Sequence, residues 1–164
     1  MARGENTVGI IGLGLIGGSA ALKLRESGYA NRFIGFDSNE IHANSAVELG
    51  IVDEAVSLDV LTSLSDIILI AIPVNHALEV LPLVMNQAGA ECTIIDFGST
   101  KHKIASLADK FDNREQFVAC HPIAGTENTG PTAAFAALYE GKVNIICDKN
   151  KSSEQALEEA ENLI

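Results

Sequence analysis

The chain has 164 residues, 47% hydrophobic and 20% charged, which suits one soluble globular domain with a sizeable core. A formal net charge of -11 argues against a nucleic-acid partner, because phosphate binding needs a basic patch and the longest basic cluster is the KHK of residues 101–103. The longest apolar run, residues 67–74, is too short to span a bilayer and the opening MARGENTVGI lacks a signal-peptide core, so no membrane partner is expected and the expected compartment is the cytoplasm.

Short apolar runs rich in β-formers alternate with longer amphipathic ones. Strands are expected at residues 7–11, 32–36, 67–72, 93–96, 117–120 and 143–147, and helices at 16–27, 40–49, 75–87, 100–110 and 153–163. The alternation reads as βαβ units and hence an α/β fold, a mostly parallel, doubly wound sheet covered on both faces. The run IILIAI is apolar throughout, as burial on both faces requires. Gly28, Gly50 and Gly89 stand where helices should end. No repeat or low-complexity linker divides residues 1–164, which read as a single domain. The closing SSEQALEEAENLI opens on capping serines and stops inside its helical pattern, as a fragment would.

The first strand runs into GLGLIGG, where Gly12, Gly14 and Gly17 form G-x-G-x-x-G between an apolar strand and a helix, with Leu13, Leu15 and Ile16 between them. Asp37 ends the next strand 20 residues after Gly17 and is followed by Ser38. Together these features read as a dinucleotide site: Gly12 for a tight turn, Gly14 for close approach of a diphosphate, Gly17 for helix packing. Asp37 suits ribose hydroxyls, whereas a 2′-phosphate would meet like charge with no arginine in DSNE to relieve it, so NAD is expected over NADP. The plainer alternative is a packing turn beside an ordinary surface aspartate.

At the next strand end Ala71, Ile72, Pro73 and Val74 lie beside the expected switch point, where Pro73 either turns the chain over the cofactor or only starts the following helix. Further on, IIDFGSTK places Asp96, Ser99 and Thr100 after a strand, with Ser99 or Thr100 as candidate helix caps and Lys101 as the nearest candidate cation. HPIAGTENTGP then leaves another strand at the same rim and carries His121. A side chain with an ordinary pKa of about 6.5 can accept a proton at neutral pH and hold it through a transition state. His42, His76 and His102 lack comparable context and read as solvated. Cys92, Cys120 and Cys147 have no metal-ligand or disulfide spacing and read as core thiols, with no metal expected.

GLGLIGGS, DFGSTK and HPIAGTENTGP, in this order and followed by LYEGK, resemble over essentially the whole chain the nucleotide-binding domain of the prephenate and arogenate dehydrogenases of tyrosine biosynthesis. The resemblance implies a Rossmann sheet and NAD-dependent oxidative decarboxylation of prephenate or L-arogenate, giving 4-hydroxyphenylpyruvate or L-tyrosine. It implies that His121 takes the proton of the ring 4-hydroxyl, that Ser99 contacts both that imidazole and the nicotinamide, and that Thr126 and Glu127 stand at the substrate mouth. Thr126 and Glu127 also have the composition of a helix start. The resemblance also implies a C-terminal helical domain that forms a homodimer and supplies the cations that grip the substrate carboxylates, and that domain is expected to lie outside these 164 residues. The 164 residues alone are therefore expected to bind NAD yet turn over poorly. Two other readings compete: another Rossmann dehydrogenase, of the β-hydroxyacid or pyrroline-carboxylate reductase kind, and a catalytically silent NAD-binding module or half of a split enzyme.

Overall fold

The apolar runs assemble into one seven-stranded sheet in the computed structural model, which describes residues 6–163. The strands are β1 (Thr7–Ile11), β2 (Arg32–Phe36), β3 (Glu54–Ala55), β4 (Ile67–Ile70), β5 (Thr93–Asp96), β6 (Phe117–Pro122) and β7 (Asn144–Cys147). Their order is β3-β2-β1-β4-β5-β6-β7, parallel throughout except for the antiparallel β6–β7 pair. The chain winds outward from β1 to β3 and then returns to lay β4 on β1's other side. This is the doubly wound arrangement read from the sequence, with its switch point between β1 and β4.

Alternate side chains of the central strands enter two apolar layers. On one face Val8, Ile10, Leu69, Ile95 and Val118 meet α1 (Leu15–Glu26) and α6 (Glu154–Leu163). On the other, Ile11, Ile68, Ile70, Ile94 and Phe117 meet α4 (Val74–Gln87) and α5 (His102–Ala108). Every residue of β1, β4 and β5 is buried, and each such Ile, Leu or Val side chain contributes about 1.5–3 kcal/mol.

α2 (Glu40–Glu48) starts at Asn39, whose side chain accepts the Ile41 N–H. α1 and α2 end on Gly28 and Gly50, both at positive φ, with Tyr29 and Ile51 N–H groups bonding back to the Leu24 and Ala46 carbonyls. Gly89 plays no such part, because α4 ends in extended backbone at Ala88.

The structure departs from the sequence reading at several points. β4 stops at Ile70 and not at 72, and β6 continues past 120 to Pro122, so that His121 lies within the strand. β3 and α3 (Leu58–Leu64) fill a stretch with no expected element. A two-residue edge strand and a two-turn helix are too short to show a period, and β3 forms because the β2 edge is there to pair with it. Neither Ser99 nor Thr100 caps α5, which begins two residues later than expected, after Lys101. No helix begins at Thr126 and Glu127: the first helical turns after β6 are short 3-10 segments at Pro131–Ala133 and Ala136–Tyr139. Among the described residues no helix is long and apolar enough to cross a membrane.

Candidate active site

β1 stops at Ile11 and the chain must turn at once into α1, under the end of β4. Gly12 makes that turn at φ +97, where an added Cβ would lie 2.4 Å from the Ala71 carbonyl oxygen. Gly17 lies against the same turn, and a Cβ there would stand 2.0 Å from the Gly12 carbonyl oxygen. Both glycines are required by the fold. Gly14 is different: its φ of -77 is open to any residue, and a Cβ would meet nothing within 4 Å. It precedes α1, offers no side-chain cap, and leaves the partial positive charge of the helix start facing open space.

That space is a cavity of about 440 Å³ lined by Gly12, Gly14, Phe36, Asp37, Ser38 and the wall Ala71, Ile72 and Pro73, among others. Asp37 Oδ2 accepts the Leu13 N–H at 2.9 Å and Oδ1 accepts the Asn39 N–H at 2.9 Å, so the carboxylate is aimed before any ligand arrives. Leu13 is fully buried and serves to hold Asp37; Leu15 is buried as well, and neither lines a cavity. His42 and His76 border this cavity while remaining open to solvent, His76 exposed as expected and His42 partly so, with His42 Nδ1 3.8 Å from Asp37. Their neighbours in sequence carry no sign of it, because α2 and α4 reach the cleft only through sheet order.

Across the shared wall lies a second cavity of about 320 Å³, lined by Ile16, Ala71, Ile72, Pro73, Val74, Phe97, Gly98, Ser99, His121, Pro122 and Ala124. Pro73 thus both starts α4 and walls the cleft. His121 is half-buried, and its Nδ1 is buried without a hydrogen-bond partner. Ser99 shares the cavity, but no hydrogen bond joins it to the imidazole. Contacts of this kind commonly form only once a ligand is in place. The rest of the lining is apolar and carries no lysine or arginine.

Lys101 is not a solvated cation. Its ammonium is ion-paired with Asp96 and also donates to the Cys120 carbonyl at 2.7 Å, with 11% of the side chain exposed. Burial pushes the Asp96 carboxyl above the ordinary carboxylate value, and the Lys101 charge opposes that rise. Thr126 and Glu127 are exposed; Thr126 Oγ1 accepts the Asn128 N–H at 3.1 Å, and Glu127 borders a separate open hollow with Thr129 and Thr132. They are not brought to the His121 cavity. A further tie was not visible in the sequence: the buried Tyr139 hydroxyl donates to the Ile16 carbonyl at 2.6 Å, and the Phe135 N–H to Ser19 Oγ at 3.0 Å, strapping the segment after His121 onto α1.

The family model of the prephenate dehydrogenase nucleotide-binding domain matches residues 20–164, beginning just beyond the glycine turn. The prephenate dehydrogenase of Bacillus subtilis (strain 168) is 36% identical over 163 residues, which is 98% of this chain and 44% of that protein. The prephenate dehydrogenase of A. aeolicus, solved in complex with hydroxyphenyl propionate and NAD+, superposes with a TM-score of 0.88 at 32% identity, covering 96% of this chain and 56% of that one. The Synechocystis arogenate dehydrogenase gives 0.82 at 27% identity, over 96% of this chain and 55% of its own. The chain spans about half the length of the curated relatives it matches.

Proposed function

Because the chain belongs to the prephenate dehydrogenase family, we propose that it is the NAD-binding part of an enzyme that oxidises and decarboxylates prephenate or L-arogenate. The observation that carries the reading is that His121, with its Nδ1 buried and unpartnered, lines together with Ser99 a cavity of otherwise apolar side chains that shares a wall with the glycine-turn cleft. The open position at Gly14 suits a diphosphate, the fixed Asp37 carboxylate suits a ribose, and the apolar lining around Ile16, Val74 and Phe97 suits a flat ring. Bound NAD would supply the hydride acceptor.

The chain's own residues then have separable tasks. Gly14 and the first turn of α1 bind the anionic middle of the cofactor. Asp37 and Ser38 take the adenosine end, and Asp37's charge disfavours a 2′-phosphate. Ala71, Ile72, Pro73 and Val74 keep water off the reacting face. His121 accepts the proton of the ring hydroxyl as hydride leaves the same carbon, and CO2 then departs as the ring becomes aromatic. Ser99 orients the imidazole in the loaded site. Thr126 and Glu127 act at the substrate mouth, exposed as they are before substrate enters. No cation in the His121 cavity is available for the substrate carboxylates, so their grip comes from outside that lining. A homodimer and a cytoplasmic setting belong to the same proposal.

Calorimetric titration of the chain with NAD and NADP, followed by NADH formation from prephenate and from L-arogenate, tests it. NAD should bind tighter than NADP. Failure to bind either would sink the reading; NAD binding with little turnover is the result expected of these residues alone, and turnover that stays absent when the family's C-terminal helical domain is added in trans would favour a silent binding module.

A further inference from the structure

Lys101 is the residue on which the two later strand ends converge. β5 stops at Asp96, whose last parallel partner is Ala119, while β6 runs on through Cys120 and His121 to Pro122. Beyond Ala119, β6 has no strand on its β5 side. The Lys101 ammonium occupies that place. It donates to the Cys120 carbonyl at 2.7 Å, to the Asp96 carbonyl at 3.2 Å, and to the Asp96 carboxylate, whose other oxygen accepts the Gly98 N–H at 3.2 Å. All three donors of the ammonium are thus engaged.

This arrangement does more than neutralise a buried acid. The Asp96 carboxylate, 1% exposed, needs a counter-charge and would be satisfied by the ion pair alone. The bond to Cys120 adds a constraint on the residue immediately before His121, and the pair with Asp96 closes the five-residue step that carries Ser99. One cation therefore links the backbones beneath both polar side chains of the second cavity.

We propose that Lys101, anchored by Asp96, is a positioning residue that sets the His121 imidazole and Ser99 in one cavity. This rests on the dehydrogenase reading for its consequence in turnover, but not for its geometry. Lys101 stands behind the cavity lining and acts through the Cys120 and Asp96 backbones.

The test compares Lys101→Met, Lys101→Arg and the double variant Asp96→Asn/Lys101→Met, in the family enzyme that contains this chain for turnover and in the chain itself for NMR of the His121 ring. Lys101→Met should displace the His121 ring resonances and lower kcat about 100-fold, the scale on which small misplacements act, while KM for NAD stays within about twofold. Lys101→Arg, which keeps the charge and several donors, should recover most of kcat. If Lys101→Met does not fold, the double variant removes both charges and carries the same expectation. A folded variant with wild-type His121 resonances and wild-type kcat would overturn the proposal, as would the unfolding of both, since the pair would then serve the fold and not the site. If the wild-type protein neither binds NAD nor turns over, the dehydrogenase reading fails while the resonances still decide the positioning.

Discussion

The glycine turn at residues 12–17 and the cluster from Asp96 to His121 lie along the same carboxyl edge of the sheet, yet they present chemistry to the cleft by opposite means. At the turn the cleft-facing groups are backbone, exposed because a side chain is missing at Gly14 and shaped by one contiguous stretch. At the cluster they are side chains, Ser99 and His121, on different strand ends joined by a buried ion pair. A site made of backbone survives almost any neighbour that leaves room for it. A site made of side chains depends on whatever holds their strands in register.

The largest effect that could break this contrast is on turnover. His121→Ala should lower kcat by about 10²–10⁴, the usual contribution of a positioned proton acceptor, while the NAD Kd stays within about twofold. Equal loss of binding would mean that the two regions are not separable. Next comes stability: Gly17→Ala should cost about 3 kcal/mol or more in urea unfolding, since its Cβ would stand 2.0 Å from a carbonyl oxygen. Gly14→Ala should fold with a loss of no more than about 1 kcal/mol yet weaken NAD at least about tenfold, because its methyl would enter the cleft.

A smaller shift is expected from Asp37→Asn, which keeps an acceptor for the Leu13 N–H but removes the charge. NAD affinity should fall about tenfold and the gap between NAD and NADP should narrow, read from the two Kd values. The smallest effect concerns the thiols. Burial pushes Cys92 up to about 12 and Cys120 up to about 11, so at pH 8 only about one in 10⁴ and one in 10³ are thiolate. The neutral form is the one favoured below those values, so their alkylation should quicken only as pH climbs toward them. Half-buried Cys147 should react first, giving one fast thiol per native chain.

The two regions also differ in how far they can be read without a structure. G-x-G-x-x-G and Asp37 are legible because each glycine answers a local demand within one βαβ unit. The strands β1, β2 and β5 have the bounds read from the sequence, whereas β4, apolar throughout, stops at Ile70, two residues short of its expected end. His121 and Ser99 are singled out by their place after strands and by resemblance, and the structure brings both to one cavity. Lys101 read only as the nearest candidate cation, because nothing in DFGSTK says that β6 outruns β5 and leaves the Cys120 carbonyl for its ammonium. That His42 and His76, read as solvated and still open to solvent, also border the cleft was not legible, because their helices meet it through strand order and not through spacing. Thr126 and Glu127 invited a helix start, but the segment is instead drawn across α1 by Phe135 and Tyr139.

By itself, then, the sequence determined the fold class, the glycine turn with its acidic partner, and which strand ends carry Ser99 and His121. These follow from period, turn chemistry and short-range spacing, which are properties of neighbours in the chain. Only the tertiary structure decided that Gly14 is left open by the fold while Gly12 and Gly17 are required by it. It alone decided that the wall at Ala71 to Pro73 divides two cavities, and that Lys101 is bound into the site's foundation. Those depend on where separate strands stop relative to one another, and strand register is set by packing across the whole sheet.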